Sequence, residues 1–146
     1  ADIIYFLRQG KQTFLYKLGS IVKNMDGYDS ILPMKSVGDI RSVTVSEWIE
    51  LLEKLEEESE YQRVVIDFGT DVSGLFQLLE YCTKIYMPVL QDVISKRKVN
   101  HVSWICREEE FENILPKIQQ IVLTEKFDWQ NARTVMEAWV ERFVKL

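Results

Sequence analysis

The stretch Arg63-Val64-Val65-Ile66-Asp67-Phe68-Gly69 decides the fold that this sequence predicts. Three consecutive β-branched residues before an acid and a glycine are typical of a strand that is buried on both faces. Open α/β sheets bind their ligands at the carboxyl ends of such strands. Asp67 is therefore predicted to hold a cation or an activated water, because Mg²⁺ is usually bound by one or two acids together with substrate phosphates. The alternative is that Asp67 only caps or supports a turn.

Strands and helices alternate after this stretch. The pattern predicts a helix over residues 70–81 capped by Thr70-Asp71, a buried strand over residues 84–88, a helix capped by Asp92, and a candidate strand over residues 117–123, whose pattern also fits a helix. This order of elements is typical of βαβ units with parallel strands. The predicted fold is therefore α/β, a three-layer sandwich with a mostly parallel sheet.

The residues before the central stretch predict shorter elements. Their apolar spacing indicates two short helices over residues 2–23 that are interrupted at Gly10, a short strand over residues 28–33, and a loop over residues 34–43 that turns at Gly38-Asp39. Thr44 and Glu47 fit a capping box, in which each side chain accepts a hydrogen bond from the other residue's backbone N–H. A helix is therefore predicted to begin directly after Thr44.

Size and composition predict one cytoplasmic domain. The 146 residues, 47% hydrophobic and 28% charged, suffice for a single core and are interpreted as one domain spanning residues 1–146. No apolar run approaches the roughly 20 residues of a membrane span, and no signal peptide is expected at residues 2–7. The net charge of −5 argues against a protein that coats nucleic acid, although the turn Lys96-Arg97-Lys98 is locally basic.

The cysteine and histidine content argues against metal and nucleophile chemistry. Cys82 and Cys106 lack CxxC spacing, and His101 is the only histidine, so no zinc site is expected. The two cysteines are predicted to be buried, reduced thiols. A hydrolase with a histidine base would have to use His101, which has no nucleophile motif nearby.

A phosphate-binding loop is absent from the sequence. Neither G-x-x-x-x-G-K-[ST] nor G-x-G-x-x-G occurs, and the six glycines are scattered at positions 10, 19, 27, 38, 69 and 74. A chain without the glycine loop and its lysine is not expected to hold a triphosphate by itself.

The ordered series of motifs resembles a known family. Tyr28-Asp29-Ser30-Ile31-Leu32-Pro33, the capped helix from Thr44, residues 61–69, the helix end Leu78-Leu79-Glu80-Tyr81-Cys82 and residues 84–90 are together similar to the second half of a ParA/MinD-type P-loop ATPase, closest to the CpaE-like branch. The resemblance covers residues 2–104 and, more faintly, the final strand and helix. In that family the strand ending in Asp-x-Gly is the Walker B and switch II segment.

The resemblance implies a nucleotide site and a cellular role. Asp67 would be the Walker B acid that reaches Mg²⁺ through water, Gly69 would be the glycine that senses the γ-phosphate, and Pro88, Val89, Leu90 and Gln91 would lie near the base of ATP. The implied function is spatial positioning of a cell-envelope or chromosomal assembly through nucleotide-gated dimerisation. The implied partners are a second copy or the missing N-terminal part of the same domain, and a protein of the positioning system.

The sequence departs from the family pattern at two places. The Walker A loop is missing, and we expect it upstream of Ala1 if the chain is a fragment. Thr83 stands where the family usually has an aspartate. The first departure puts ATP turnover by this chain alone in question.

A non-catalytic interaction domain, either a pseudo-ATPase or a receiver-like domain, is the competing hypothesis. A receiver also ends a central strand in aspartate, but it needs an acidic pair after its first strand and a lysine at a strand end. Residues 30–33 contain no acidic pair, and Lys84 begins its strand instead. A pseudo-ATPase fold that only binds partners fits the sequence equally well.

A terminal helix capped by Asp128 is predicted from apolar residues that alternate by three and four, including Trp139, Phe143 and Val144. Only about two heptads are present, which favours docking on the sheet over a coiled coil. A membrane-binding face is disfavoured, because the three basic residues Arg133, Arg142 and Lys145 are offset by Glu137 and Glu141.

Overall fold

In the computed structural model, the described residues are 2–9, 11–25, 27–32, 34, 36–69 and 71–123. The chain divides into two units, Ala1–Cys82 and Thr83–Leu146, and each is described by itself. The predicted terminal helix from Asp128 lies outside the described residues.

The first unit begins with two helices and a β-hairpin. The helices are α1 (Asp2–Arg8) and α2 (Lys11–Ile21), as the apolar spacing predicted. The hairpin pairs β1 (Val22–Met25) with β2 (Tyr28–Ile31) in antiparallel register, and the Asn24 side-chain amide donates to Asp29 across it at 2.9 Å. Gly27 has a φ of 101°, a conformation that glycine adopts without a steric penalty, and it allows the tight turn between the strands.

Three helices complete the regular structure described in the first unit: α3 (Val37–Arg41), α4 (Val45–Glu58) and α5 (Leu75–Tyr81). The predicted capping box of α4 is confirmed, since the Glu47 N–H donates to Thr44 Oγ1 at 3.3 Å and the Thr44 N–H donates to Glu47 Oε2 at 2.8 Å. Because both interactions are local in sequence, the start of this helix could be predicted without knowledge of the fold.

The core of the first unit lies between α1, α2 and α4. Apolar residues one helical turn apart pack together there, namely Ile3, Ile4, Leu7, Phe14, Leu18, Val43, Leu51 and Leu55. Phe14 is fully buried, while Tyr16 on the same helix is 82% exposed. One side of α2 therefore packs in the core, and the other side faces solvent.

The second unit contains a parallel βαβ arrangement. Strand β3 (Ile85–Leu90), helix α6 (Val93–Glu108), the 3-10 helix Glu112–Lys117 and strand β4 (Ile118–Leu123) follow in order. The strands pair in parallel, with Ile85 opposite Ile118 and Leu90 opposite Leu123. The predicted cap is confirmed, because Asp92 Oδ1 accepts a hydrogen bond from the Ser95 N–H at 2.8 Å. Residues 117–123 fitted either a strand or a helix in the sequence, and the structure forms strand β4 there.

The central stretch, residues 63–69, does not form the predicted buried strand. It adopts neither helix nor strand, and Val65 is 92% exposed. A strand exists only where a neighbouring strand completes its hydrogen bonds, and no described strand pairs with these residues. The β-branched pattern was therefore not sufficient to produce a strand here.

One helix lies where the sequence predicted a loop, and another begins later than predicted. The predicted loop over residues 34–43 contains α3, whose N-cap Ser36 accepts a hydrogen bond from the Gly38 N–H at 3.2 Å. The predicted cap Asp71 does not begin α5, because its carboxylate forms an ion pair with Arg41 at 2.6 Å and the helix begins after Gly74 instead.

The described chain is mixed α/β with one antiparallel and one parallel strand pair. Within the described residues, no helix has the length and apolar character needed to cross a lipid bilayer. Cys82 and Cys106 are thiols and not a disulfide; Cys106 is buried as predicted, whereas Cys82 is only half-buried.

Candidate functional site

The segment that carries Asp67 and Gly69 connects α4 to α5 in the first unit. Its beginning is anchored, because the Tyr61 hydroxyl donates to Asp29 Oδ2 of β2 at 2.6 Å. This bond, with a second one from Asn24, lowers the pKa of the Asp29 carboxyl. Beyond Tyr61 the backbone of residues 62–69 makes no hydrogen bond to another described backbone group. The segment is therefore held at one end; beyond it Val64, Val65 and Asp67 are exposed, whereas Ile66 and Phe68 are half-buried.

Asp67 lies exposed in this segment. Its carboxylate forms no ion pair with any described residue, and the described part of the chain contains no cluster of three or more metal-ligating side chains. An exposed carboxylate can supply one oxygen to a hydrated Mg²⁺ ion, which takes most of its other ligands from water and phosphate. The surroundings of Asp67 fit one Mg²⁺ ligand and do not form a complete metal site.

Gly69 has space around it. A Cβ atom built at this position would meet no other atom within 4 Å. The described structure therefore gives no steric reason for a glycine here, and the predicted approach of a γ-phosphate stays a prediction.

The other predicted residues lie in the second unit, at the carboxyl end of β3. Pro88 and Val89 pair with Ile121 and Val122 of β4. Gln91 follows the strand directly, and the next residue, Asp92, caps α6. The Ser95 N–H lowers the pKa of the Asp92 carboxyl, because it donates to the charged form. These residues therefore lie at the end of a parallel strand, and their place near the base of ATP stays a prediction.

Asp67 and Gly69 therefore belong to one unit, and the four residues from Pro88 to Gln91 belong to the other. Asp67 and Gly69 lie in an irregular segment and not at the predicted strand end, whereas Pro88, Val89 and Leu90 lie within β3 and Gln91 follows it. Neither group includes a glycine-rich loop, so the described residues do not fit a triphosphate by themselves.

One ion-pair network escaped the sequence analysis. The Arg8 Nε donates to Glu47 Oε1 at 2.6 Å, although the two residues are far apart in sequence. Hydrogen bonds from Arg8 and from the Thr44 backbone lower the pKa of Glu47 to about 2. The capping box was readable from the spacing of Thr44 and Glu47, but no local signal indicates that Arg8 of α1 joins it.

A small cavity of about 160 Å³ lies beside this ion pair. Its apolar wall and polar rim consist of Ile4, Tyr5, Arg8, Met34, Asp39, Ser42 and Val43. A second cavity, of about 210 Å³, lies in the second unit and is lined by Met87, Val99, Ser103, Arg107, Leu115, Ile118 and Gln120. Both are smaller than the roughly 300 Å³ at which ligand pockets usually begin. Neither cavity is large enough to enclose a nucleotide.

The exposed side of α6 is a further feature that the sequence analysis did not identify as a site. Trp104 is half exposed, and its ring stacks on His101 with a centroid distance of 5.5 Å and an interplanar angle of 13°. The basic turn Lys96-Arg97-Lys98, which was visible in the sequence, lies on the same helix. The helical spacing of Arg97, His101 and Trp104 was the signal in the sequence that could have identified this side of α6.

Comparisons with known proteins identify no relative. No protein-family model, no curated protein and no solved structure matches this chain.

Proposed function

We propose that this chain is the part of a ParA/MinD-type ATPase domain that follows the phosphate loop. In this proposal the complete domain is a three-layer α/β sandwich with a mostly parallel sheet. It positions a cell-envelope or chromosomal assembly through nucleotide-gated dimerisation. The proposal rests on the resemblance of the ordered motifs and on one structural observation.

That observation is the exposure of a stretch with the composition of a buried strand. Val64 and Val65 are exposed, and the backbone of residues 62–69 makes no hydrogen bond to another described backbone group. Runs of β-branched residues are favourable in the middle of a sheet, where neighbouring strands cover them. An incomplete sheet, whose missing strands come from a segment that also carries the phosphate loop, accounts for both the composition and the exposure.

The parallel arrangement of β3, α6 and β4 supports the same proposal. A helix that connects two parallel strands is the repeating unit of doubly wound α/β domains. Asp67 would then contribute a Mg²⁺ ligand, and Pro88, Val89, Leu90 and Gln91 would border the base. Bound Mg²⁺ would neutralise phosphate charge, while the phosphate cradle itself would come from outside the described residues.

A non-catalytic interaction domain is the second candidate function. It is favoured by the exposed aromatic and basic side of α6, which has no role in the nucleotide proposal. In this case Asp67 would be an ordinary surface carboxylate.

Amide chemical shifts measured during a Mg-ATP titration of the full chain distinguish the ATPase proposal from the interaction domain. The ATPase proposal predicts weak, millimolar binding that perturbs the amides of Asp67, Gly69 and Val89 to Gln91 together. Mg²⁺ alone is the control for a purely ionic effect at Asp67. If Mg-ATP perturbs other amides of the chain and leaves both segments unperturbed, the assignment of these residues to a nucleotide site is wrong and the interaction domain is preferred.

A further inference from the structure

The solvent side of α6 exposes three large apolar side chains, two near its beginning and one nearly three turns further on. We call this surface the α6 face and define it by Val93, Ile94, Arg97, His101 and Trp104. Val93 is 67% exposed, Ile94 is 68% exposed and Trp104 is 53% exposed. Positions 93, 97, 101 and 104 follow the spacing of one side of an α-helix, whereas Cys106 on the opposite side is fully buried.

Charges are divided along the α6 face. Lys96, Arg97 and Lys98 are exposed near its amino-terminal end, and none of them forms an ion pair with a described residue. Glu108, Glu109 and Glu110 are exposed at its carboxyl-terminal end. The face therefore has a basic end that also carries Val93 and Ile94, an aromatic pair further along, and an acidic end.

The aromatic pair on this face is ordered before any partner binds. Because His101 and Trp104 stack on each other, part of the side-chain freedom of both rings is already lost in the free chain. Tryptophan and arginine are also the residues that most often dominate binding energy at protein interfaces. Arg97 and Trp104 lie on the same side of the helix and can contact one partner together.

The character of the face identifies the kind of partner. Val93 and Ile94 require an apolar surface opposite them, and the three cations require carboxylates at the adjoining end. A nucleic acid or an anionic membrane would meet the three glutamates at the other end and the net charge of −5, both of which are repulsive. An amphipathic protein helix can place apolar side chains on Val93, Ile94 and Trp104 and acidic side chains on the three cations at once.

We propose that the α6 face is the docking site for an amphipathic helix of a partner protein. The partner helix carries acidic side chains next to its apolar stripe and lies with these acids against Lys96, Arg97 and Lys98. This inference does not rest on the proposed nucleotide function.

The probe is a fluorescently labelled helical peptide with leucines at helical spacing and glutamates clustered at one end. The full chain is titrated into this peptide, and binding is measured by fluorescence anisotropy. A control peptide carries glutamine in place of every glutamate. The expected result is tighter binding of the acidic peptide by about tenfold or more, with an advantage that shrinks as salt is added.

Variants locate the binding on α6. The double variant Arg97→Glu/Lys98→Glu should weaken binding of the acidic peptide by about tenfold or more, and Trp104→Ala should do the same. Lys23→Glu/Lys84→Glu changes the net charge equally at exposed positions outside α6, and it should bind the peptide within about twofold of the wild type. Equal binding by the wild type and the α6 double variant would overturn the proposal.

Three further outcomes would also overturn it. A melting temperature many degrees lower for Trp104→Ala would mean that the ring is packed within the chain. Tighter binding of a single-stranded oligonucleotide or of anionic phosphatidylserine vesicles than of the acidic peptide would identify a different partner class. Loss of self-association in the α6 double variant, measured by sedimentation without peptide, would identify a second copy of this chain as the occupant.

Discussion

Two aspartates of this chain differ in what their carboxylates contact. Asp67 is exposed and has no ion pair with a described residue, whereas Asp92 accepts hydrogen bonds from both the backbone N–H and the hydroxyl of Ser95. We expect Asp67→Ala to change the free energy of unfolding by less than about 0.5 kcal/mol, as at other surface sites. Asp92→Ala should cost about 0.5–2 kcal/mol, because the cap of α6 is lost.

Urea denaturation of both variants measures this difference directly. The Asp92 variant is the matched control, since the same side chain is removed in each case. If Asp67→Ala instead costs about 1–3 kcal/mol, its carboxylate is a hydrogen-bonded structural group and its assignment as a Mg²⁺ ligand loses its basis.

Glu47 makes the stability of the first unit dependent on pH. Its folded pKa is lowered to about 2, from 4.5, chiefly by the hydrogen bond from Arg8. A carboxyl with a lowered folded pKa binds protons more readily in the unfolded state, so its stabilisation is present above pH 4.5 and is lost as the pH falls toward 2. The stabilisation should be about 1 kcal/mol, because the Arg8 side chain is half exposed to solvent.

The prediction is tested by melting temperatures measured across this pH range. Glu47→Gln keeps a hydrogen-bonding side chain at the same helical position but removes the charge. The wild type should lose its advantage over this variant as the pH falls from 4.5 toward 2. A difference between the two proteins that stays constant with pH would show that Glu47 does not titrate as described.

At the scale of whole elements, local signals were the reliable part of the sequence. Thr44 and Asp92 each bond to a backbone N–H three residues ahead, so their helices could be predicted from spacing alone. The strand predicted at residues 63–69 failed because a strand depends on partners that lie far away in sequence. The same dependence on distant contacts explains Asp71, which pairs with Arg41 instead of capping α5.

Gly74 has no side chain, and this allows α4 and the start of α5 to approach each other. It precedes α5 with a φ of 67°, and a Cβ atom there would collide with the side chain of Val45 in α4. Gly74→Ala should destabilise the chain by roughly 1–3 kcal/mol, from backbone strain together with this collision. The free energy of unfolding in urea is the measurement.

A double-mutant cycle separates the two causes. Val45→Ala removes the atoms that a Cβ at position 74 would meet, but it leaves the backbone conformation unchanged. The combined variant should therefore be more stable than the sum of the single effects predicts. Strict additivity would indicate that α4 and α5 do not approach each other at this point.

At the scale of the whole molecule, the motif content could be read from the sequence, whereas the arrangement of the strands and helices depends on the fold. The absence of a glycine-rich loop is a property of the sequence and needs no structure. The assignment of Asp67 and the end of β3 to one nucleotide site comes from the resemblance of the ordered motifs and stays a prediction. The fold class was predicted only as far as mixed α/β structure with a parallel strand pair.

The absence of a glycine-rich phosphate loop leads to a prediction for the affinity of this chain for Mg-ATP. Triphosphates are bound chiefly by successive backbone N–H groups of a glycine-rich loop and by its lysine, and neither is present. The chain should therefore bind Mg-ATP no more tightly than millimolar. Isothermal titration calorimetry should show no saturable heat at micromolar ATP, and the melting temperature should be unchanged there, since a ligand far below its dissociation constant adds almost no stability.

The titration is repeated with Mg²⁺ alone and with the Asp67→Ala variant as controls. Micromolar binding of Mg-ATP by the wild type would contradict the prediction, because it would require a phosphate cradle that the sequence does not contain. If that binding also disappeared in Asp67→Ala, the carboxylate would hold the bound metal, directly or through water, and the chain would be a nucleotide-binding domain without a conventional phosphate loop.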